Sequence, residues 1–257
     1  MEMKGKNNMK PITFIFVIAL LASASCSTQS AQSQNTPALT ADKLVVQTYE
    51  LNGKPDSDSS SFKSVDGREF TSADFEVSKP FSSKQVKDMP LRLSVTLGSE
   101  AIVTEQVDSG NYITVTRNGK EIFRTDAGGI SPMPPLQNLW AYDHHWVLET
   151  NLFLTDQPFN GQVFLDGLSI GQENGYDEVF NFQTINGRPF YFFRHNNKVD
   201  AWFDGQVISL DYDSVPHYVC CADSWFNPKA FQGAVLFFGT KNNTWFFVRI
   251  GAPGVLP

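Results

Sequence analysis

Two stretches in the C-terminal third of the chain, residues 187–205 (GRPFYFFRHNNKVDAWFDG) and residues 233–251 (GAVLFFGTKNNTWFFVRIG), align without gaps at an offset of 46 residues. Each contains an apolar segment, a polar turn with two asparagines and a second apolar segment, which is the pattern of a β-hairpin. Because one hairpin pattern occurs twice at a fixed spacing, we predict an all-β domain built from repeated antiparallel hairpins.

Two further units extend the repeat toward the N-terminus. Residues 145–167 form a looser copy with a longer connection, and residues 112–125 form a hairpin around Asn118-Gly119, a pair typical of a type I′ turn. Between the copies, residues 178–185, 189–194, 199–204 and 207–212 read as the four strands of one sheet. Short strands repeating every 40 to 50 residues are typical of β-propeller blades, so the fold is predicted to be β-propeller-like. A two-sheet β-sandwich of meandering hairpins is the alternative.

The repeating strands are apolar without alternation, as in residues 189–193 (PFYFF). Such strands are expected to be buried on both faces by neighbouring sheets. Closer to the N-terminus, residues 91–97 alternate between apolar and polar, and residues 101–107 can pair with them across Gly98-Ser99. A strand is predicted at residues 43–51 and a short helix at residues 82–89, and the whole of residues 42–257 is predicted to be a single domain.

The composition limits the class of protein. The chain has 257 residues, of which 41% are hydrophobic, and this is enough for a large core. Three Cys are too few for a disulfide-stapled scaffold. The net charge of -7 argues against a surface that binds nucleic acid by neutralising phosphates.

The first 26 residues have the order of a secretory signal peptide. Lys4, Lys6 and Lys10 make a basic start, residues 12–22 are an uncharged apolar run, and residues 23–25 are small. A run of 11 residues is too short for a membrane-spanning helix, which needs about 20. We therefore expect export, with residues 1–26 excluded from the fold.

Cys26 follows the small residues, and this segment resembles the lipobox of bacterial lipoproteins, in which such a Cys becomes the acylated N-terminus. The sequence departs from that pattern at Ser23, where an aliphatic residue normally stands. Residues 27–41 carry no charge and are rich in Ser, Gln and Thr, as expected for a flexible tether. The resemblance implies lipidation at Cys26 and attachment to the cell membrane or the outer membrane, as in bacterial envelope lipoproteins. Ordinary cleavage, giving a secreted or periplasmic soluble protein, is the alternative.

Removal of residues 1–26 takes away three Lys and one Glu from totals of 20 basic and 27 acidic residues, which leaves a net charge of -9. Charge will therefore not attract the mature domain to anionic lipid. Any contact with the membrane is expected to come from the anchor alone.

Cys220 and Cys221 are adjacent in the sequence. In an exported protein such a pair can close a vicinal disulfide, a small rigid ring suited to a ligand-facing turn. The alternative is two reduced thiols, one buried and one exposed.

One serine motif has the spacing of a nucleophile elbow. Residues 167–171 match G-x-S-x-G with Ser169 at its centre, but residues 172–175 (QENG) favour a turn where that motif requires a helix. Carboxylates are plentiful in the repeats, including Asp166, Glu178 and Asp204, yet no spacing pairs two of them across a cleft as glycosidases require. We therefore assign no catalytic residue, and the chain is expected not to be an enzyme.

The metal-binding signatures are also missing. His144 and His145 are adjacent, so on a strand they would point to opposite faces, and neither H-x-x-x-H nor C-x-x-C occurs. Asp211 and Asp213 lack the spacing of a calcium-binding EF-hand loop. No metal and no cofactor is expected.

Aromatic residues outside the repeat strands are the best candidates for contact with a partner. Trp140, Tyr142 and Trp225 lie in segments rich in Pro or Asp, and such rings offer large rigid faces to a protein or a glycan. We therefore expect an exported, lipid-anchored, non-catalytic binding module of the cell envelope. A glycan-active hydrolase with a carboxylate-lined site is one alternative, and a structural accessory subunit is another.

Overall fold

The protein is described by a computed structural model that covers residues 44–55, 61–71, 74, 92–128, 134–152, 160–218, 228–231 and 233–256. The predicted signal peptide, the predicted tether and Cys26 lie outside the described residues, as do the helix predicted at residues 82–89 and residues Cys220, Cys221 and Trp225. Within the described part, no helix is long and apolar enough to span a membrane.

Four antiparallel sheets of four strands each make up the described domain. Sheet I contains β4 (Arg92–Leu97), β5 (Glu100–Val107), β6 (Tyr112–Arg117) and β7 (Lys120–Asp126), and sheet II contains β8 (Leu136–Tyr142), β9 (His145–Leu152), β10 (Asn160–Leu165) and β11 (Leu168–Ser169). Sheet III contains β12 (Glu178–Ile185), β13 (Arg188–His195), β14 (Lys198–Phe203) and β15 (Gln206–Tyr212). Each of these three sheets is a simple meander in chain order.

Sheet IV joins the two ends of the domain. It contains β16 (Lys229–Phe231), β17 (Ala234–Lys241), β18 (Thr244–Gly251) and, next to β18, the first strand β1 (Val45–Glu50). The pairing of β1 with β18 is antiparallel and runs from Val45 opposite Gly251 to Glu50 opposite Phe246. A small hairpin of β2 (Ser61–Lys63) and β3 (Glu69–Thr71) packs against the outer face of this sheet.

The sequence repeat coincides with equivalent strands. Residues 187–205 supply β13 and β14, and residues 233–251 supply β17 and β18, so both copies are the central hairpin of a sheet. Their asparagine turns have the same left-handed backbone, with φ of 52° and 60° at Asn196 and Asn197 and 51° and 62° at Asn242 and Asn243. The looser copy supplies β9 and β10 in the same central position.

The hairpin at residues 112–125 has a different position. Its Asn118-Gly119 turn has the two positive φ values of the predicted type, but it joins β6 and β7, the third and fourth strands of sheet I. The equivalent central hairpin of this sheet is β5–β6. The turn signal was therefore correct, whereas counting this hairpin in phase with the other three was wrong.

The sheets pack face to face in chain order. Separate apolar clusters fill the spaces between sheets I and II, II and III, and III and IV. Strand β13 shows why its sequence does not alternate: Phe190 and Phe192 enter the cluster shared with sheet IV, and Tyr191 and Phe193 enter the cluster shared with sheet II. The prediction of an all-β fold built from repeated antiparallel hairpins is confirmed, and the four-stranded sheets stack in chain order.

Candidate functional site

Two of the predicted contact residues lie on the edge strand of sheet II. Trp140 and Tyr142 in β8 both face sheet III, where their rings meet Phe182 at centroid distances of 6.2 and 6.5 Å. Both side chains are half-buried, whereas Phe182 is buried. The third predicted contact, Trp225, lies outside the described residues.

Sheet III adds a second aromatic group on the facing side. The rings of Trp202 and Tyr191 are stacked at 4.8 Å with an interplanar angle of 11°. Tyr191 is buried and covers one face of the half-buried Trp202, so the exposed part of that indole lies on its other face and its edges.

An ion pair lies at the same end of sheets II and III. Arg188 Nη1 is 2.5 Å from Asp204 Oδ2. Both residues act on Tyr142: partial burial raises the pKa of its phenol, the carboxylates of Asp143 and Asp204 raise it further, and Arg188 lowers it. We call the surface formed by these side chains the aromatic rim, defined as Trp140, Tyr142, Arg188, Trp202 and Asp204.

The adjacent histidines His144 and His145 have different environments. His144 is exposed, and His145 Nδ1 lies 2.5 Å from Asp166 Oδ2 while the other oxygen of Asp166 accepts the Trp146 N–H. Asp166 itself occupies a turn with φ of 49°. Among the described residues, no three His, Cys, Asp or Glu side chains are grouped to hold an ion.

The serine motif corrects one expectation. A turn was predicted after Ser169, but a short helix, α1 (Ile170–Asn174), follows it. Ser169 is the N-cap, and its hydroxyl accepts the Gln172 N–H; Gly175 ends the helix in the left-handed conformation. The intrinsic helix propensity of residues 170–174 did not indicate this helix, because its stability comes from the two capping residues, Ser169 and Gly175. The hydroxyl acts as a cap, and no histidine is among its hydrogen-bond partners in the described structure.

Asp211 and Asp213 form ion pairs that link two sheets. Lys198 of sheet III lies 3.6 and 2.6 Å from their carboxylates, and Lys241 of sheet IV lies 2.8 Å from Asp211. These ion pairs lower the pKa of both aspartates. The two lysines therefore satisfy the charges that a cation would need.

A second group of polar residues is buried between sheets II and III. Glu178 at the start of β12 is 5% exposed, and its carboxylate accepts the Gly161 N–H at 2.9 Å and contacts His217 Nε2 at 2.9 Å and Arg194 Nη2 at 3.0 Å. Burial alone would raise the pKa of this carboxyl, but His217, the Gly161 N–H and Arg194 lower it to about 2. Glu178 is therefore an ionised group with every partner inside the protein.

Glu149 lies nearby in β9 and is 3% exposed. Its two oxygens accept the backbone N–H groups of Asn181 at 2.6 Å and Phe182 at 3.2 Å, and the hydroxyl of Tyr218 donates to it. Burial raises the pKa of Glu149 to about 7, although the two N–H donors lower it. Hence two carboxyls in one region are held at opposite ends of the usual pKa range.

A bulge in β12 makes this arrangement possible. The pairing of β12 with β13 shifts register between Phe180 and Gln183, and Asn181 has φ of 53°. A bulge leaves N–H groups without partners in the ladder, and here they point to Glu149. The Asn181 side chain also donates to the Pro228 carbonyl at 2.8 Å.

Sequence reasoning missed Glu149 and Tyr218 and considered Glu178 and His217 only singly. One signal was present: residues 146–152 (WVLETNL) place a glutamate inside an otherwise apolar strand. A carboxylate at such a position must find buried partners. Its partners lie 32 to 69 residues away in the sequence, so spacing could not identify them.

The described residues form an all-β protein of stacked antiparallel sheets that carries an aromatic rim and, between sheets II and III, the two buried carboxyls of Glu149 and Glu178. Comparison with protein-family models, with curated proteins and with solved structures finds no match to this chain.

Proposed function

We propose that the protein is an exported, lipid-anchored binding module of the cell envelope, and that the aromatic rim is its ligand-contact surface. The observation that carries the proposal is that Trp140 and Tyr142 both meet Phe182 of sheet III, and that Tyr142 lies close enough to the Arg188–Asp204 ion pair for both charges to act on its phenol. The half-buried Trp202 of sheet III adds a third ring, stacked on Tyr191. These side chains stand on paired strands rather than on long loops, so their positions are set before a ligand arrives. Preorganisation of this kind reduces the entropy lost on binding.

The chemistry of the rim favours a neutral glycan. Arg188 and Asp204 cancel each other's charge, yet the guanidinium keeps further N–H donors and the carboxylate keeps further acceptor sites. A sugar offers hydroxyl groups to such a pair and an apolar C–H face to an indole ring. A strongly charged peptide would gain less binding energy, because the Arg188–Asp204 pair offers no net charge of opposite sign.

The buried carboxylates support a non-catalytic role better than a hydrolytic one. A glycosidase needs two carboxyl groups that reach the substrate. Glu149 and Glu178 are 3% and 5% exposed, and backbone N–H groups, His217, Arg194 and Tyr218 engage them. Burial explains the raised pKa of Glu149, and contacts with His217, the Gly161 N–H and Arg194 explain the lowered pKa of Glu178, without a role in catalysis.

The described surface offers little support for a structural accessory subunit. Such a subunit is expected to show a large exposed apolar patch. Apart from Val45 and Val46, which are neighbours in β1, the exposed large hydrophobic residues among those described belong to different strands and turns, and each has an exposed fraction between 37% and 64%. They are Val45, Val46, Val65, Tyr112, Ile122, Leu168 and Val207.

The binding proposal predicts that Trp202→Ala weakens glycan binding at least tenfold, because truncation of a central aromatic contact typically costs more than 1 kcal/mol. The measurement is isothermal titration of the mature domain with neutral envelope oligosaccharides, such as N-acetylglucosamine oligomers. Trp245→Ala is the matched control, since that indole is half-buried in sheet IV and belongs to the cluster on the β2–β3 side. Equal affinities for both variants, or no binding by the wild type, would reject the rim as a glycan surface.

The anchor proposal predicts that Cys26→Ala abolishes metabolic labelling with a palmitate analogue and releases the protein from the membrane fraction. The physical reason is that the acyl chain is the only membrane contact expected of an acidic domain. A variant with Cys220→Ala and Cys221→Ala should keep the label. Unchanged labelling of the Cys26→Ala variant would refute lipidation at this residue.

A further inference from the structure

The segment that follows β15 is held by two carboxylates from two different sheets. Glu178 of sheet III contacts His217 Nε2 at 2.9 Å, and the next residue, Tyr218, donates its hydroxyl to Glu149 of sheet II. The other nitrogen of His217, Nδ1, lies 2.6 Å from the Val215 carbonyl oxygen, so both ring nitrogens have partners. We call residues 215–218 the connector.

The connector is packed as tightly as a core strand without belonging to a sheet. Val215, His217 and Tyr218 are 1%, 6% and 6% exposed. The His217 ring lies flat on Phe180, with centroids 3.5 Å apart and an interplanar angle of 3°. Tyr218 has φ of 54°, a left-handed backbone that is costly for a bulky side chain. Tertiary contacts, and above all the two carboxylates, therefore keep the connector docked.

We propose that the connector is a pH-dependent latch, docked on sheets II and III at mildly acidic pH and increasingly undocked as the pH rises to neutrality. The group that responds is Glu149, which is 3% exposed and accepts the Tyr218 hydroxyl when the connector is docked. This inference concerns the interior of the domain and stands apart from the ligand proposed for the aromatic rim.

The groups around Glu149 make it the titrating member. From β12 it receives two backbone N–H groups, and from the connector it receives the Tyr218 hydroxyl. Its strand neighbours are Val163 in β10 and Asn138 in β8, which carry no charge. The other polar groups that hold the connector, Glu178, Arg194 and His217, are in direct contact with one another.

The sign follows from linkage. The folded pKa of Glu149, about 7, is above the ordinary 4.5, so the docked state binds a proton more tightly than an opened state does. Docking is therefore most stable below pH 4.5, loses stability as the pH rises through 7, and changes little above that. Glu178 acts in the opposite direction: its pKa is about 2 when docked, so its contribution is complete above pH 4.5 and is lost only in stronger acid. Of these two carboxyls, Glu149 therefore sets the pH dependence of connector docking between pH 5 and 8.

The test is hydrogen exchange followed by mass spectrometry on the mature domain at pH 5.5 and 7.5, with rates corrected for intrinsic exchange. We expect the protection factor of the His217 and Tyr218 amides to fall about tenfold between the two pH values. Amides of the β17–β18 hairpin serve as an internal control and should keep their protection factors. Unchanged protection of the connector in the wild type would overturn the latch.

Two variants separate titration from packing. Glu149→Gln removes the titrating group at nearly constant shape, and its connector should show the same protection at both pH values. Tyr218→Phe keeps Glu149 but removes the hydroxyl bond, so protection should be lower at both pH values while the pH dependence remains. If Glu149→Gln keeps the tenfold change, another group is responsible and the proposal is wrong. The wild-type result decides the question even if a variant does not fold.

Discussion

Replacement of Glu178 by alanine is expected to lower the free energy of unfolding by about 3–5 kcal/mol, since removal of one partner from a buried ion pair leaves the other charge uncompensated. Glu178 satisfies three groups at once, namely His217, Arg194 and the Gly161 N–H. Of these, His217 is 6% exposed and cannot turn to solvent without breaking the packing of Phe180. The measurement is urea denaturation of the mature domain followed by tryptophan fluorescence.

The chain offers a matched control for this variant. Glu121 also pairs with an arginine, making two contacts of 3.1 and 3.0 Å with Arg124, but both side chains are more than 40% exposed. Solvent screens such a pair, so Glu121→Ala should change stability far less. Equal losses in the two variants would show that burial does not determine the contribution of Glu178.

The second large effect is expected from Gly161→Ala. A β-carbon at this position would lie 2.8 Å from Phe180 Cβ, 2.8 Å from the Val179 carbonyl oxygen and 2.9 Å from Tyr218 Cε2. Two of these neighbours are fixed by the backbone of β12, so sheets II and III would have to separate locally. Overpacking of this kind costs about 1–3 kcal/mol, and the shift would also weaken the N–H bond to Glu178.

Gly171→Ala is the control for this variant and should have the opposite sign. Gly171 lies in α1, where the nearest atom to an added β-carbon is 3.4 Å away. Alanine is favoured over glycine in a helix, so a small gain in stability is expected. The comparison uses thermal unfolding at pH 6 for both variants. A neutral result for Gly161→Ala would mean that the two sheets are not in close contact there.

The strands could be predicted from the sequence because their signals are local. The paired asparagines at 196–197 and 242–243 mark turns, and the unbroken apolar run at residues 189–193 indicates a strand buried on both faces. The four strands predicted at residues 178–212 correspond to β12, β13, β14 and β15 within about two residues at each end. Period and turn chemistry suffice wherever neighbours in the sheet are also neighbours in the sequence.

The candidate site could be predicted only in part. Trp140 and Tyr142 were identified from their polar surroundings, and the structure places both beside Phe182. The candidates were sought outside the repeat strands, so Trp202 of β14 was missed, although its ring is half-buried and is part of the rim. The two buried carboxyls, Glu149 and Glu178, depend on contacts among β9, β12 and the connector, which are far apart in the sequence. No local sequence pattern predicts how closely two sheets approach each other.

The pairing of β1 with β18 has a consequence for the order of events during synthesis. Val45 pairs with Gly251, so sheet IV cannot be completed until nearly the entire chain has emerged. A loop of this length is closed slowly compared with the local hairpins of sheets I to III. Until then β1 has no partner, and β18 lacks its outer neighbour. Nascent chains are therefore expected to be most vulnerable to aggregation and proteolysis at this seam, and a chaperone that covers an open strand edge would act on sheet IV.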